Sequence, residues 1–186
     1  MRILLALLLT LSPLHAAAEK GDDGLHVAPW IEETFLDLRE DHAEAAAQGR
    51  RLMVLLEQRG CVYCDRMHEE VFAKEDIERR LSDDFFVVRL NLYGDLEVTD
   101  LDGEVLSEKE AARKWGALFT PTAFYLPAGE PAEAPLPQAA AAVVPGAFGP
   151  WTTRNMMDWV LAEGYAGEEP FQRYHARRLA EEGVVE

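Results

Sequence analysis

Leu52-Met53-Val54-Leu55-Leu56, then Cys61-Val62-Tyr63-Cys64, then Asp65-Arg66-Met67-His68-Glu69-Glu70-Val71-Phe72: this stretch decides the fold. Cys61 and Cys64 are the only cysteines of the chain, and two cysteines placed at random take that spacing about once in a hundred chains of this length. The apolar run before them reads as a short buried strand. The residues after them read as an amphipathic helix, with Met67 and Val71 four apart on one face. A cysteine at the first turn of a helix faces unpaired backbone N–H groups and the positive end of the macrodipole, and both favour thiolate over thiol. Cys61 is therefore the expected nucleophile, and Cys64 the resolving thiol one turn on.

The first residues read as an address rather than as structure. Met1-Arg2 precedes an apolar run, Ile3 to Leu11, which Ser12-Pro13 breaks; Ala16-Ala17-Ala18 fits a cleavage site of small residues. The run is too short for a permanent membrane span, and no cysteine follows it to carry a lipid anchor. Residues 1–18 are thus expected to be a signal peptide, and the mature protein to be periplasmic. In an oxidising compartment paired cysteines are usually staples, but a CxxC pair closes too small a ring to restrain much chain. A catalytic or metal-binding role is favoured instead. Residues 19–186 suffice for one domain with a sizeable core and a modest extension.

Acidic residues number 34 against 18 basic ones, for a formal net charge of −16. A surface so negative argues against nucleic acid or an anionic membrane as partner.

Residues 19–29 are polar and glycine-bearing and read as a flexible lead-in. A helix is expected over 30–48, with Ile31, Phe35 and Leu38 on one stripe and Gly49 as its stop. Strands are expected over 52–57 and 85–92, with a helical piece, 76–82, between them. Val98 to Val105 reads as a hairpin turning at Asp102-Gly103; Asp100-Leu101-Asp102-Gly103 lacks the remaining ligands of a calcium loop. Ser107 and Glu110 form a capping box opening a helix to about Trp115. A proline-led strand follows over 119–126, then a loop over 127–138, an edge strand at Ala142-Val143-Val144, and a helix capped by Thr152 or Thr153. A last helix is expected over 168–181, amphipathic through Phe171, Tyr174 and Leu179. Alternating strands and helices indicate an α/β sheet covered on both faces.

The strand before the dithiol, Cys61-Val62-Tyr63-Cys64 at a helix start, the strand 85–92 and Thr120-Pro121-Thr122 opening the next strand, in this order, resemble the thioredoxin-like superfamily over about Trp30 to Tyr165. More narrowly, Leu55 to Cys61, Cys64 to Glu69, Val98 to Val105 and Phe171-Gln172-Arg173-Tyr174 resemble the exported SoxW-type thioredoxins associated with bacterial sulfur oxidation. The resemblance implies a three-layer α/β/α sandwich with a central mixed sheet and an extra C-terminal helix: a thioredoxin-like domain at 30–165 and an extension at 166–186. It also implies a cis bond before Pro121, and a substrate-binding surface of Tyr63, Thr120 and Pro121 around the catalytic Cys61 and Cys64.

Three departures from the family pattern stand out. Gly60 replaces the usual tryptophan before the first cysteine, and Val62-Tyr63 replaces Gly-Pro. Leu55 stands where the family carries a buried aspartate, and Glu57, on the same face of the strand, is the candidate proton relay in its place.

The implied activity is reduction of disulfides in exported proteins, without a cofactor or metal, by a monomer drawing electrons from a membrane thiol transporter. Two other readings remain: a disulfide oxidase or isomerase, which Val62-Tyr63 permits, and a Cu(I)-binding protein using both cysteines with Met67 or His68. A helical histidine such as His68 more often faces solvent, and Met67 reads as core.

Overall fold

A computed structural model describes residues 19–130 and 133–184; the expected signal peptide, 1–18, lies outside them. A five-stranded mixed sheet runs β1-β3-β2-β6-β7. Its strands are β1 (Ile31–Glu32), β2 (Arg51–Glu57), β3 (Phe85–Asn91), β6 (Thr122–Tyr125) and β7 (Ala142–Pro145). β3 lies parallel to β1 and β2, whereas β6 is antiparallel to both β2 and β7. A separate hairpin pairs β4 (Glu97–Thr99) with β5 (Val105–Ser107). The helices are α1 (Leu38–Ala47), α2 (Val62–Arg66, continued by a π-helical turn, Met67–Phe72), α3 (Glu75–Asp83), α4 (Glu108–Lys114), α5 (Leu136–Ala139), α6 (Pro150–Leu161) and α7 (Phe171–Glu181).

Period-two alternation along β2 splits the core into two layers. Leu52, Val54 and Leu56 join Leu38, Ala45, Ala111 and Phe124 on the face covered by α1 and α4. Met53 and Leu55 join Met67, Val71, Phe72, Ile77, Leu81 and Met157 on the face covered by α2, α3 and α6. Both faces are buried, as a continuous apolar strand requires. By the same alternation Glu57 falls on the face beneath α2. The architecture is the expected thioredoxin-like sandwich, and α7 is its extra C-terminal helix, packed on α6 through Phe171 and Tyr174.

Four local expectations are corrected. The helix expected from Trp30 begins only at Leu38. Asp37 caps it by accepting from the N–H groups of Arg39 and Glu40, Leu36 turns with a positive φ, and Phe35 is 97% exposed. Residues 19–29, expected as a flexible lead-in, are laid into the domain: Leu25 and His26 are each 3% exposed, and Lys20 forms a β-bridge with His26. The expected 127–138 loop ends in α5, a single turn anchored by fully buried Leu136. Finally, α6 opens at Pro150 after Gly149, which leaves Thr153 inside the helix and buried.

Candidate active site

The turn out of β2 delivers the dithiol. Gly60 has φ +73°, a left-handed conformation that a tryptophan would adopt only under strain, which accounts locally for the departure at this position. Cys61 is the N-cap of α2, and its Sγ accepts from the Cys64 N–H at 3.1 Å. Cys61 and Cys64 form a disulfide, with Cα atoms 5.2 Å apart. Cys61 is 6% exposed and Cys64 is fully buried, so only Cys61 is within reach of a large partner. Val62 and Tyr63 stand out from the surface beside it.

Across from the dithiol, the chain enters β6 through a cis Thr120–Pro121 peptide. Thr120 Oγ1 donates to Cys61 Sγ at 3.2 Å, and exposed Leu118 and Phe119 extend the apolar rim. Behind the rim, Pro121 walls a cavity of about 200 Å³ lined by Leu55, Met67, Tyr125, Met156 and Phe171. Cys61, Thr120 and Pro121 are thus brought together, with Tyr63 at the edge.

Glu57 is fully buried and receives two imidazoles. His68 Nε2 lies 2.9 Å from its Oε1, and His26 Nδ1 lies 3.3 Å from its Oε2. Burial alone would push the carboxyl up, but the hydrogen bonds from His26 and His68 outweigh it and hold the group at about 2. The two rings stack at 4.0 Å between centroids, and Trp30 stacks on His68 at 5.5 Å. Burial pushes His68 down from the ordinary imidazole range, against the opposing hydrogen bond from Glu57. His26 Nε2 turns outward to Asp65 Oδ1 at 2.9 Å, which Lys20 Nζ also reaches at 2.6 Å; the Lys20 hydrogen bond leads in holding Asp65 below the usual carboxylate range.

His68 is therefore not the solvent-facing residue that its helical position suggests. No local sequence pattern marks His26, whose partners lie 31 and 39 residues away. A fully buried carboxylate needs donors, and that need is the signal that points to both histidines. Among the described residues these three side chains are the set whose ligand atoms converge, within 4.8 Å of one another. Each imidazole is also within hydrogen-bond distance of a different oxygen of the carboxylate. Met67 packs in the apolar core, as expected.

A family model described as a thioredoxin-like domain matches residues 38–135. The chain is similar to a thioredoxin-fold protein from Helicobacter pylori, at 13% identity and a TM-score of 0.51, over 76% of this chain and 94% of that one. It is also similar to a thioredoxin from Thermus thermophilus, at 23% identity and a TM-score of 0.54, over 72% of this chain and 90% of that one. At these identities the structural likeness speaks to the fold. No curated relative matches the chain.

Proposed function

The chain belongs to the thioredoxin-like domain family, and from that premise we propose that it is an exported thiol–disulfide oxidoreductase working as a reductase. The observation that carries the reading is the Cys61–Cys64 disulfide itself, with Thr120 Oγ1 3.2 Å from Cys61 Sγ. A reducible bond at a helix start, one sulfur accessible and the other buried, is what exchange chemistry needs.

In the reduced protein, Cys61 thiolate attacks one sulfur of a client disulfide. That S–S bond breaks, a mixed disulfide forms, and the client's other sulfur leaves as thiolate. Cys64 loses its proton and attacks Cys61 Sγ, which closes the internal disulfide and expels the client's second thiolate. Two electrons pass from the dithiol to the client. Tyr63, Thr120 and Pro121 hold the client chain beside Cys61, and Glu57 receives the Cys64 proton.

The proposed setting is the periplasm, entered through a signal peptide at 1–18. The proposed working form is a monomer: a domain over 30–165 with a helical extension over 166–186, re-reduced by a membrane thiol transporter. The resemblance to SoxW-type proteins makes components of sulfur oxidation the proposed clients.

The reduction potential of Cys61–Cys64, measured by thiol trapping against a dithiothreitol or glutathione couple, tests the direction. A value near roughly −270 mV supports the reductase, and one near roughly −180 to −120 mV replaces it with isomerase or oxidase chemistry.

A further inference from the structure

We infer that His26 is a proton-relay residue, passing to Asp65 and solvent the proton equivalent that Glu57 takes up when Cys64 ionises. The inference rests on the dithiol reading above and adds to it a residue from outside the matched domain.

Two hydrogen bonds join the interior to the surface here. Glu57 is fully buried, His26 is 3% exposed, and the Asp65 side chain is 33% exposed. His26 Nδ1 faces Glu57 and Nε2 faces Asp65, so the imidazole spans the distance with one nitrogen on each carboxylate. Two contacts hold the residue in that pose. His68 stacks on it, and the Arg89 guanidinium donates to the His26 carbonyl.

The charges make the arrangement a conduit rather than a staple. An imidazole satisfies two ionised carboxylates at once only when both nitrogens carry protons, as the cation. His68, stacked 4.0 Å away, is then the neutral partner, since two stacked cations would repel. Glu57 and His26 form a buried pair of zero net charge. When the Cys64 thiol gives up its proton, Glu57 takes it only in step with loss of the His26 Nε2 proton outward to Asp65 or water, because the carboxylate is too weak a base while the cation faces it. The pair becomes carboxylic acid and neutral imidazole, again of zero net charge. One proton enters the pair, one leaves it, and the relay never holds an unpaired charge in the low-dielectric interior, where that would be costly. The Cys64 thiolate then closes the disulfide and passes its electrons on as described above.

The charged and titratable groups around His26 are Glu57 from β2, Asp65 from α2, His68 from the π-helical turn and Arg89 from β3, with Lys20 and Asp23 of its own segment acting through Asp65 and Arg89.

Reduced protein mixed with excess dithiobis(nitrobenzoate) separates the steps. A first thionitrobenzoate leaves when Cys61 attacks, and a second when Cys64 closes the disulfide; the second phase is independent of reagent concentration. His26→Asn keeps a donor for Glu57 but is too short to reach Asp65, while Asp65→Asn cuts the path at the surface without disturbing the core. His26→Asn is expected to slow the second phase by about tenfold or more near neutral pH, and Asp65→Asn to slow it several-fold. In both, the first phase stays unchanged and the deficit closes as pH rises and hydroxide takes the proton directly.

A second phase with wild-type rate and pH profile in both variants overturns the relay. So does an equal slowing of both phases, which marks a structural effect. One equivalent of a divalent metal held by the reduced wild type and lost in His26→Asn also overturns it, because a ligated Nδ1 carries no proton. A wild type that releases only the first thionitrobenzoate instead overturns the dithiol reading itself, whatever His26 does.

Discussion

Thr120 Oγ1 donates a hydrogen bond to Cys61 Sγ across 3.2 Å, tying the segment before β6 to the outer sulfur of the dithiol. A donor aimed at this sulfur favours the charged form over the neutral one. Thr120→Val, which keeps the shape and removes the donor, is expected to slow alkylation of reduced Cys61 by iodoacetamide several-fold near neutral pH. The fold and the melting temperature should change little. Equal alkylation rates would show that the hydroxyl does not act on the thiolate.

Glu57→Gln keeps the volume of the side chain and removes its charge and proton affinity. Client disulfide reduction is expected to fall several-fold, read with an insulin-reduction assay. Stability carries a second signature. The Glu57 carboxyl is held at about 2 in the folded protein, against 4.5 ordinarily. A depressed carboxyl contributes stability that is present above its unfolded value and lost as pH falls through the folded one. The wild type should therefore lose stability between about pH 4.5 and about pH 2 more steeply than Glu57→Gln, measured by urea unfolding at stepped pH.

Asp41 behaves in the opposite sense. It is 4% exposed, and burial pushes its carboxyl up to about 7 despite a hydrogen bond from Thr34. Between the ordinary value of 3.8 and about 7, the folded protein holds a proton that the unfolded chain has released, so stability falls as pH rises. Asp41→Asn removes that burden. It is expected to raise the melting temperature by roughly 2–4 °C, equivalent to about 1 kcal/mol, at pH 8, with the gain shrinking toward pH 4. A gain independent of pH would contradict the assignment.

Asp100 ties three parts of the α1–α4 face together. It is fully buried, and it accepts from Trp115 Nε1 at 2.9 Å, Leu101 N–H at 2.8 Å and Leu136 N–H at 3.0 Å, with Lys114 Nζ at 2.8 Å. Asp100→Ala leaves these donors without their partner and is expected to cost about 3–5 kcal/mol, measured by urea unfolding followed by far-ultraviolet circular dichroism. A loss below about 1 kcal/mol would show that water takes over the contacts.

The legible parts of the fold are those with a local cause. The apolar run of β2 and the capping box at Ser107 and Glu110 need only near neighbours to explain them, and alternation along β2 places Glu57 beneath α2. The start of α1 misleads because an apolar stripe through Ile31, Phe35 and Leu38 competes with a cap at Asp37, and the cap wins. His26 was out of reach for a different reason. Its partner Glu57 lies 31 residues away in sequence and Asp65 lies 39 away, so no pattern around residue 26 announces them. The sequence shows Asp100-Leu101-Asp102-Gly103 only as a turn, whereas its first carboxylate is a buried hub whose donors are its neighbour Leu101 and the distant Lys114, Trp115 and Leu136.

The lead-in that sets His26 between Glu57 and Asp65 also redraws the smallest piece of this protein worth expressing. The family match begins at residue 38, and a fragment trimmed to that boundary retains Glu57 and His68 but discards His26, Trp30 and Lys20. Its buried carboxylate would keep its contact with His68 and lose the one with His26, together with the indole stacked on His68 and the proposed path to the surface. Such a fragment would carry every residue of the CxxC motif and still be a different protein around its dithiol, because one partner of its buried carboxylate is encoded upstream of the recognisable domain.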